Sequence, residues 1–237
     1  MKTLNSGAFT QRTDIDTGDG SLTVLMKGAY DLKADAWRVQ LSYSSDSPTF
    51  LKAGGVDPVK LTTKFLGLGS DGFMTMPGWP ANLRGRWLQV AGTGAVDAPG
   101  TPTLGGIEGT QMDFMSAFSA LEPIDATPTG SGWTLTGRVG ADVAVQALGL
   151  AGGFRRAQVN VSELEGSGEI SIDVAADGTP TELRINGDSI TVTSSIPDQL
   201  RQSLPLSRGT VQLRELGAPV KLVAPTRRKL IDPSEMS

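Results

Sequence analysis

Three aspartates near the N-terminus, Asp14, Asp16 and Asp19, are the first residues whose type and spacing could do chemistry. Their alternation resembles the start of a calcium-binding loop, in which carboxylate oxygens project from every second residue. The fifth loop position is Gly18, however, and the twelfth is Leu25, where the motif needs a bidentate Glu. The aspartates are therefore interpreted as part of a turn, and no metal site is predicted here.

A second motif, Gly67–Gly72, formally matches the G-x-G-x-x-G pattern of dinucleotide-binding loops. In those proteins the glycines connect a strand to a helix whose N-terminus binds the pyrophosphate. Here the residues FMTMPGW follow, and Pro77 and Gly78 come too soon for a helix to begin. The motif predicts a hairpin turn.

The residue types that the sequence lacks exclude further chemistry. There is no His and no Cys, so a thiolate nucleophile, a disulfide, a histidine general base and a His-ligated zinc cannot be built from this chain. A G-x-S-x-G motif is also missing, which leaves a hydrolase only carboxylate pairs of unknown geometry. We therefore expect that the protein is not an enzyme and needs no cofactor.

The elements that organise the chain are strands, beginning with the stretch Ser21–Tyr43. Apolar and polar residues alternate in it, which is typical of a sheet with one face in water. The alternation resumes after the turn-like Asp31–Ala36, which predicts a hairpin with a shared apolar face. That face carries Leu22, Val24, Met26, Gly28, Tyr30, Trp37, Val39, Leu41 and Tyr43.

Similar patterns predict further short strands along the whole chain. They lie at Ser6–Ile15, Val59–Leu66, Phe73–Met76, Gly85–Val90, Trp133–Val139, Gly168–Ala175, Thr181–Asn186, Ser189–Thr193, Thr210–Leu216 and Val220–Val223. The first six strands, all before residue 97, are expected to follow one another in an antiparallel sheet, and Asp177–Gly178 is a strong hairpin turn.

Helices are predicted at only three places. Thr110–Leu121 has an apolar stripe with Met residues in it, Asp142–Ala151 is closed by two glycines, and Pro197–Leu204 begins with Pro. The segment Glu122–Gly132, between a helix and a strand, is expected to break regular structure.

Composition favours one mainly β (α+β) domain over residues 1–237, with an ordered core at about 6–233. The chain is 38% hydrophobic and 5% aromatic, with 30 Gly and 14 Pro to supply turns. All-β folds of this length are common as a single unit. The net charge of −4 argues against general nucleic-acid binding, which needs a basic surface.

The order of these elements and several phrases resemble the actinobacterial LppX/LprA/LprF/LprG lipoproteins, which belong with the LolA-like carriers. The phrases are LMKGAYDL, PGWPANLRGRWLQV, TLTGRVGADVAVQAL, ISIDVAADGTPTELRI and the closing LGAPVKLVAP…IDP. The resemblance covers roughly Phe9 to Pro233.

The resemblance implies a strongly curved antiparallel half-barrel sheet whose concave face is covered by helices. Between sheet and helices it implies an apolar cavity that holds the acyl chains of a lipid or lipoprotein and carries them across the cell envelope. It also implies a secreted protein that is anchored to the membrane by a lipidated cysteine. We therefore expect an extracytoplasmic lipoprotein whose signal peptide and lipidated cysteine are absent from this sequence, and a cytoplasmic protein is the alternative.

The residues alone favour a similar mechanism, because a one-sided sheet with two substantial helices, the first of which contains Met, must bury an apolar face under adaptable packing. An ordinary filled core is the alternative that the pattern leaves open. The cavity is predicted to be lined by the apolar residues at alternate strand positions, which share one face of the sheet, and by one face of each helix. These residues are Val24, Met26, Val39, Leu41, Phe65, Met74, Leu88, Val90, Met112, Met115, Phe118, Val145 and Leu148.

The C-terminal part of the chain is locally basic. Residues 208–229 contain six cationic residues and a single acidic residue, Glu215. Within this segment, the cluster Arg227, Arg228 and Lys229 is predicted to dock at anionic headgroups of a membrane surface. A solvated face that only aids solubility is the alternative. Trp79 and Trp87 are residues of a type found at a cavity mouth or a membrane edge. Ordinary packing in strands and loops is an equal alternative for both. The other cations of the segment, Arg208, Arg214 and Lys221, are predicted to contribute to the same docking.

Three functions of different classes remain. The first is an extracytoplasmic lipid carrier, with acyl chains, a membrane surface and an envelope transporter as its partners. The second is an envelope sensor or scaffold of the same fold that binds a protein partner. A hydrolase is the third and the weakest.

Overall fold

The fold is mainly β. The computed structural model describes residues 4–16, 20–46, 62–76, 79–91, 117, 118, 120, 122–150, 160, 162, 164–187, 190–192, 207–232 and 235. Its strands are β1 Ser6–Asp16, β2 Ser21–Asp31, β3 Ala36–Ser45, β4 Thr62–Leu68, β5 Asp71–Thr75, β6 Leu88–Ala91, β7 Glu122–Thr129, β8 Gly132–Gly140, β9 Leu164–Ala175, β10 Pro180–Asn186, β11 Ile190–Val192 and β12 Ser207–Arg214. The α-helix α1 spans Ala141–Ala147, and 3-10 turns lie at Ala81–Leu83 and Arg227–Lys229.

Eleven of the strands form one open antiparallel path in the order β6-β5-β4-β3-β2-β1-β12-β10-β9-β8-β7, and β11 pairs with β9 outside this path. Strands β1 to β6 are neighbours in chain order, which confirms the predicted run of six sequential strands. Strands β7 to β10 form a second such run. The last strand, β12, lies between β1 and β10 and joins the two runs into one sheet.

The hairpin turns follow local sequence. At the β2–β3 turn the side-chain Oδ1 of Asp31 accepts hydrogen bonds from the backbone N–H groups of Lys33 and Ala34. Gly69 has a positive φ of 57° between β4 and β5, which confirms that the glycine-rich motif is a hairpin turn. Gly178 likewise has a positive φ, of 79°, in the hairpin turn between β9 and β10. Glycine favours such turns because it has no Cβ to clash in the left-handed region.

Two of the predicted segments are corrected. Glu122–Gly132, expected to break regular structure, contains β7, an edge strand whose register shifts between Pro123 and Asp125. Prolines are tolerated at an edge because their missing N–H groups need no partner there. Val220–Val223 is not a strand. It cannot pair with β12, the strand that precedes it in the chain, because β1 and β10 already pair with both edges of β12.

The helix predictions have mixed outcomes. Helix α1 confirms the one at Asp142–Ala151, but it ends earlier, since Gly149 adopts a φ of 74° and stops it before the predicted glycine pair. Of Thr110–Leu121, residues 117, 118 and 120 are described and are helical, while the rest lies outside the described residues. Pro197–Leu204 also lies outside them.

Candidate functional site

The predicted cavity residues of the strands lie on one face of the sheet, here called the apolar face. Cross-strand pairing places Val39, Phe65, Met74 and Leu88 side by side across β3 to β6. Met26 pairs with Leu41 in the next rung. All six side chains are buried and belong to one hydrophobic cluster, and Met74 is fully buried at 0% exposure.

The remaining predicted lining residues have different placements. Val24 and Phe118 are half-buried and pack against the same cluster, which also contains Leu148. Val145 is buried, with 2% exposure. The backbone of Val90 lies in β6. Met112 and Met115 lie outside the described residues.

Aromatic side chains lie over glycines on the apolar face. A Cβ atom placed on Gly28 would lie 2.4 Å from the ring of Phe9, and one on Gly67 would lie 2.2 Å from the indole of Trp37. Each glycine is paired across the strands with the aromatic residue that covers it. The missing side chains thus let large rings lie flat against the sheet.

Helix α1 packs on the apolar face through two more strand glycines. A Cβ on Gly168 would lie 2.5 Å from the Cβ of Ala144, and one on Gly209 would lie 2.8 Å from Cδ2 of Leu148. Side chains at these strand positions would push the helix outward. The glycines therefore determine how closely α1 approaches β9 and β12.

Two buried polar side chains hold the C-terminal end of α1, and sequence reasoning missed them. Gln11 donates from Nε2 to the backbone oxygen of Ala147 at 3.0 Å, and Thr13 donates from Oγ1 to that of Leu148 at 2.9 Å. Both side chains are 1% exposed. The sequence could have revealed them as polar residues on the same face of the strand as the apolar Phe9 and Ile15, with which they share alternate positions.

The opposite face, here called the polar face, carries two open clefts. One has a volume of about 530 Å³. It lies over β8 to β12, and its charged residues are Arg138, Glu169, Arg184 and Arg208. The other has a volume of about 580 Å³ and lies over β1 to β4. This second one, here called the basic cleft, is lined by Lys27, Arg38, Lys64, Arg214, Glu215 and Trp87, among others.

The predicted membrane-docking cluster lies near β6, the strand at one edge of the sheet. Arg227, Arg228 and Lys229 are exposed in a 3-10 turn. The backbone N–H of Trp87 donates to the oxygen of Lys229 at 2.7 Å, and that of Ile231 donates to the oxygen of Trp87 at 2.8 Å. The cluster is therefore held beside Trp87.

The other basic residues of this segment separate in space. Arg214 lines the basic cleft, whereas Arg208 lines the other cleft. Lys221 is exposed in the irregular segment after β12. Trp79, in contrast to Trp87, is buried in the hydrophobic cluster.

Ion pairs shift the titration of two carboxylates. Hydrogen bonding from Arg12 lowers the pKa of Asp14, to which Thr23 also donates. Arg86 likewise lowers the pKa of Glu235 by hydrogen bonding. Burial raises the pKa of Tyr30, whose hydroxyl has no hydrogen-bond partner among the described residues. Within the described part of the chain, no three acidic residues are grouped as a metal site would require.

Comparisons with known proteins give no family. No protein-family model matches the chain, and no curated protein matches it. An uncharacterized conserved protein from Thermus thermophilus aligns with 95% of this chain and 90% of its own, at 10% identity and a TM-score of 0.34. A DnaN sliding clamp from Pseudomonas aeruginosa bound to griselimycin aligns with 97% of this chain and 60% of its own, at 11% identity and a TM-score of 0.17.

Likeness at these TM-scores carries no inference about function, which has to come from the site itself. None of the described helices is long and apolar enough to cross a membrane.

Proposed function

We propose that the protein is an extracytoplasmic lipid carrier, which holds acyl chains between the apolar face and the helices that cover it. In this proposal the sheet is a curved half-barrel of the LolA-like kind, with helices over its concave face. Its partners are a lipid or lipoprotein and the surface of the membrane, and it acts in the cell envelope without a catalytic group or cofactor.

One observation carries the proposal: the apolar face is much wider than the helix packed on it. Ten strand-to-strand spacings across the eleven-strand path correspond to about 48 Å. Helix α1, with seven residues, is about 10 Å long. It contacts β8, β9 and β10, and reaches β12 and β1 through Leu148 and Gln11. The apolar rungs of β3 to β6 lie beyond it.

The same cluster includes residues from outside the strands and α1, among them Trp79, Leu83 of a 3-10 turn, the helical Ala117 and Ile231. A covering built from separate segments can part more easily than a continuous element, since each segment has few contacts of its own. The methionines in the cluster, Met26 and Met74, have flexible side chains that adapt to different neighbours. These features suit a face that exchanges packing partners.

Binding of an acyl chain to this face requires no specific polar contact. Moving an acyl chain from water into an apolar site gains about 0.8 kcal/mol per methylene. A single chain would therefore be retained without any polar contact. Two of the buried polar side chains on the apolar face, Gln11 and Thr13, are already bonded at the C-terminal end of α1.

Native mass spectrometry of protein purified under mild conditions tests the proposal. We expect a chain mass increased by that of a lipid, and organic extraction should release the lipid. A chain that is empty after expression in a lipid-containing envelope, and that does not take up added phospholipid, would contradict the proposal. If the empty chain instead captured a defined protein partner, the function of sensor or scaffold would replace it.

A further inference from the structure

The basic cleft is built from residues of the four consecutive strands β1 to β4 and of β12, which is distant in sequence. Thr10, Lys27, Gln40 and Lys64 form one cross-strand row on the polar face of β1 to β4. Arg214 pairs with Ala8 in the next row, in which Arg38 also lies. The floor of the cleft is the backbone at Phe9, Gly28, Val39 and Phe65.

The cations in this cleft are not neutralised by neighbours. Lys27, Arg38 and Lys64 are exposed and form no ion pair with any residue that the structure describes. Elsewhere on the polar face Arg12 pairs with Asp14, and Arg184 pairs with Asp173 and Glu182. Lys27, Arg38 and Lys64 therefore leave uncompensated positive charge in the basic cleft.

Trp87 connects the cleft with the basic 3-10 turn. It lines the cleft, and its backbone hydrogen bonds hold Arg227–Lys229 beside it. Four cations line the cleft together with Trp87 and three more lie in the adjoining turn, and among the described residues Glu215 is the single acid that lines the cleft. Tryptophan is enriched at membrane interfaces because its ring is apolar and its N–H is polar.

We infer that the basic cleft and the adjoining turn form one docking surface for an anionic bilayer. The inference deepens the membrane docking of the proposed function, on which it rests for the presence of a membrane, and assigns it to the polar face of the sheet. A bilayer fits better than a nucleic acid, because single strands are bound on several stacked aromatic rings, whereas this cleft exposes one.

Co-sedimentation with vesicles tests this inference on the full chain. The vesicles contain equal parts of phosphatidylglycerol and phosphatidylcholine, or phosphatidylcholine alone, at about 0.1 M salt, where distant charges are screened beyond about 10 Å. We expect binding to the anionic vesicles only. In the cleft variant Lys27→Gln, Arg38→Gln and Lys64→Gln are combined, and each lost cation should weaken binding about fivefold, roughly a hundredfold together.

The matched control combines Arg138→Gln, Arg184→Gln and Arg208→Gln, which removes the same charge from the other cleft of the polar face. It should bind anionic vesicles like the unmodified chain. The inference is wrong if the control loses as much binding as the cleft variant, or if anionic and neutral vesicles bind equally. Displacement by inorganic phosphate alone, or tighter binding of a single-stranded oligonucleotide, would also overturn it.

Retained lipid is measured by mass spectrometry on the same protein preparations. Loss of vesicle binding with lipid still present in the cleft variant confirms docking as a separate property. An empty chain that still binds anionic vesicles would contradict the carrier function and leave docking intact. Circular dichroism melting of each variant shows that it is folded, and the exposed positions of the substitutions make that the expected result.

Discussion

Gln11 on β1 and Ala147 at the end of α1 are joined by a hydrogen bond of 3.0 Å, although they are 136 positions apart in the sequence. The last carbonyl groups of a helix have no partner within the helix. Gln11 supplies one from the middle of the sheet, where water has no access. This bond holds the end of α1 against the apolar face.

Replacing Gln11 with Leu should therefore destabilise the protein. The substitution leaves a buried carbonyl oxygen without its donor, which costs about 1–3 kcal/mol in the free energy of unfolding. Urea denaturation measures the change. The matched control is Gln40→Leu on the polar face, where the side chain is exposed and the expected change is within about 0.5 kcal/mol. Equal effects of the two substitutions would mean that the bond to Ala147 contributes nothing.

Gly168→Ala should displace α1 from β9. The new Cβ would lie 2.5 Å from the Cβ of Ala144, so helix or strand must move, and overpacking of this kind costs about 1–3 kcal/mol. Gly130→Ala is the control, because nothing lies within 4 Å of a Cβ at that position. Thermal melting of both variants is compared. A melting temperature for Gly168→Ala as high as that of the control would show that the helix does not need this glycine.

Val145→Trp tests whether space for lipid exists beside α1. If Val145 lines a cavity, the indole fills it, so lipid uptake should fall sharply while the melting temperature changes little. Ala144→Trp on the same helix is the comparison, because Ala144 is packed directly against β9. There the larger side chain should cost about 1–3 kcal/mol or more. Strong destabilisation by Val145→Trp, with lipid uptake unchanged in the folded protein, would mean that no cavity lies at this position.

Acid should loosen the C-terminal segment before the rest of the sheet. Arg86 holds the pKa of Glu235 below its ordinary value of 4.5. A carboxylate with a lowered pKa in the folded state stabilises that state above its unfolded pKa, and this contribution is lost as the pH falls through the folded value. Hydrogen exchange at the amides of Trp87 and Ile231, corrected for intrinsic rates, should therefore accelerate below about pH 4.5.

The variant Glu235→Gln provides the control for this pH dependence. It lacks the titrating group, so its exchange at the same two amides should be faster at neutral pH and nearly independent of pH across the acid range. If the unmodified chain and the variant showed the same pH profile, the pair between Arg86 and Glu235 would not be what holds the segment.

The sequence by itself determined most of the strands and several of their turns, although it missed β7 and predicted a strand at Val220–Val223 that does not form. Alternation in β2 and β3 correctly placed Met26, Val39 and Leu41 together, because successive side chains of a strand must point to opposite faces. It also excluded histidine and cysteine chemistry, since those residues are missing from the chain. These are local or compositional properties, which need no knowledge of the neighbouring strand.

Only the tertiary structure decided how the two runs of sequential strands join and what lies over them. The insertion of β12 between β1 and β10 brings Arg214 next to Lys27 and Arg38 in one cleft. The same folding carries Gln11 to the end of α1. Such contacts join residues more than a hundred positions apart. They depend on how whole strands pair and on which edge remains free, and no short stretch of sequence contains that information.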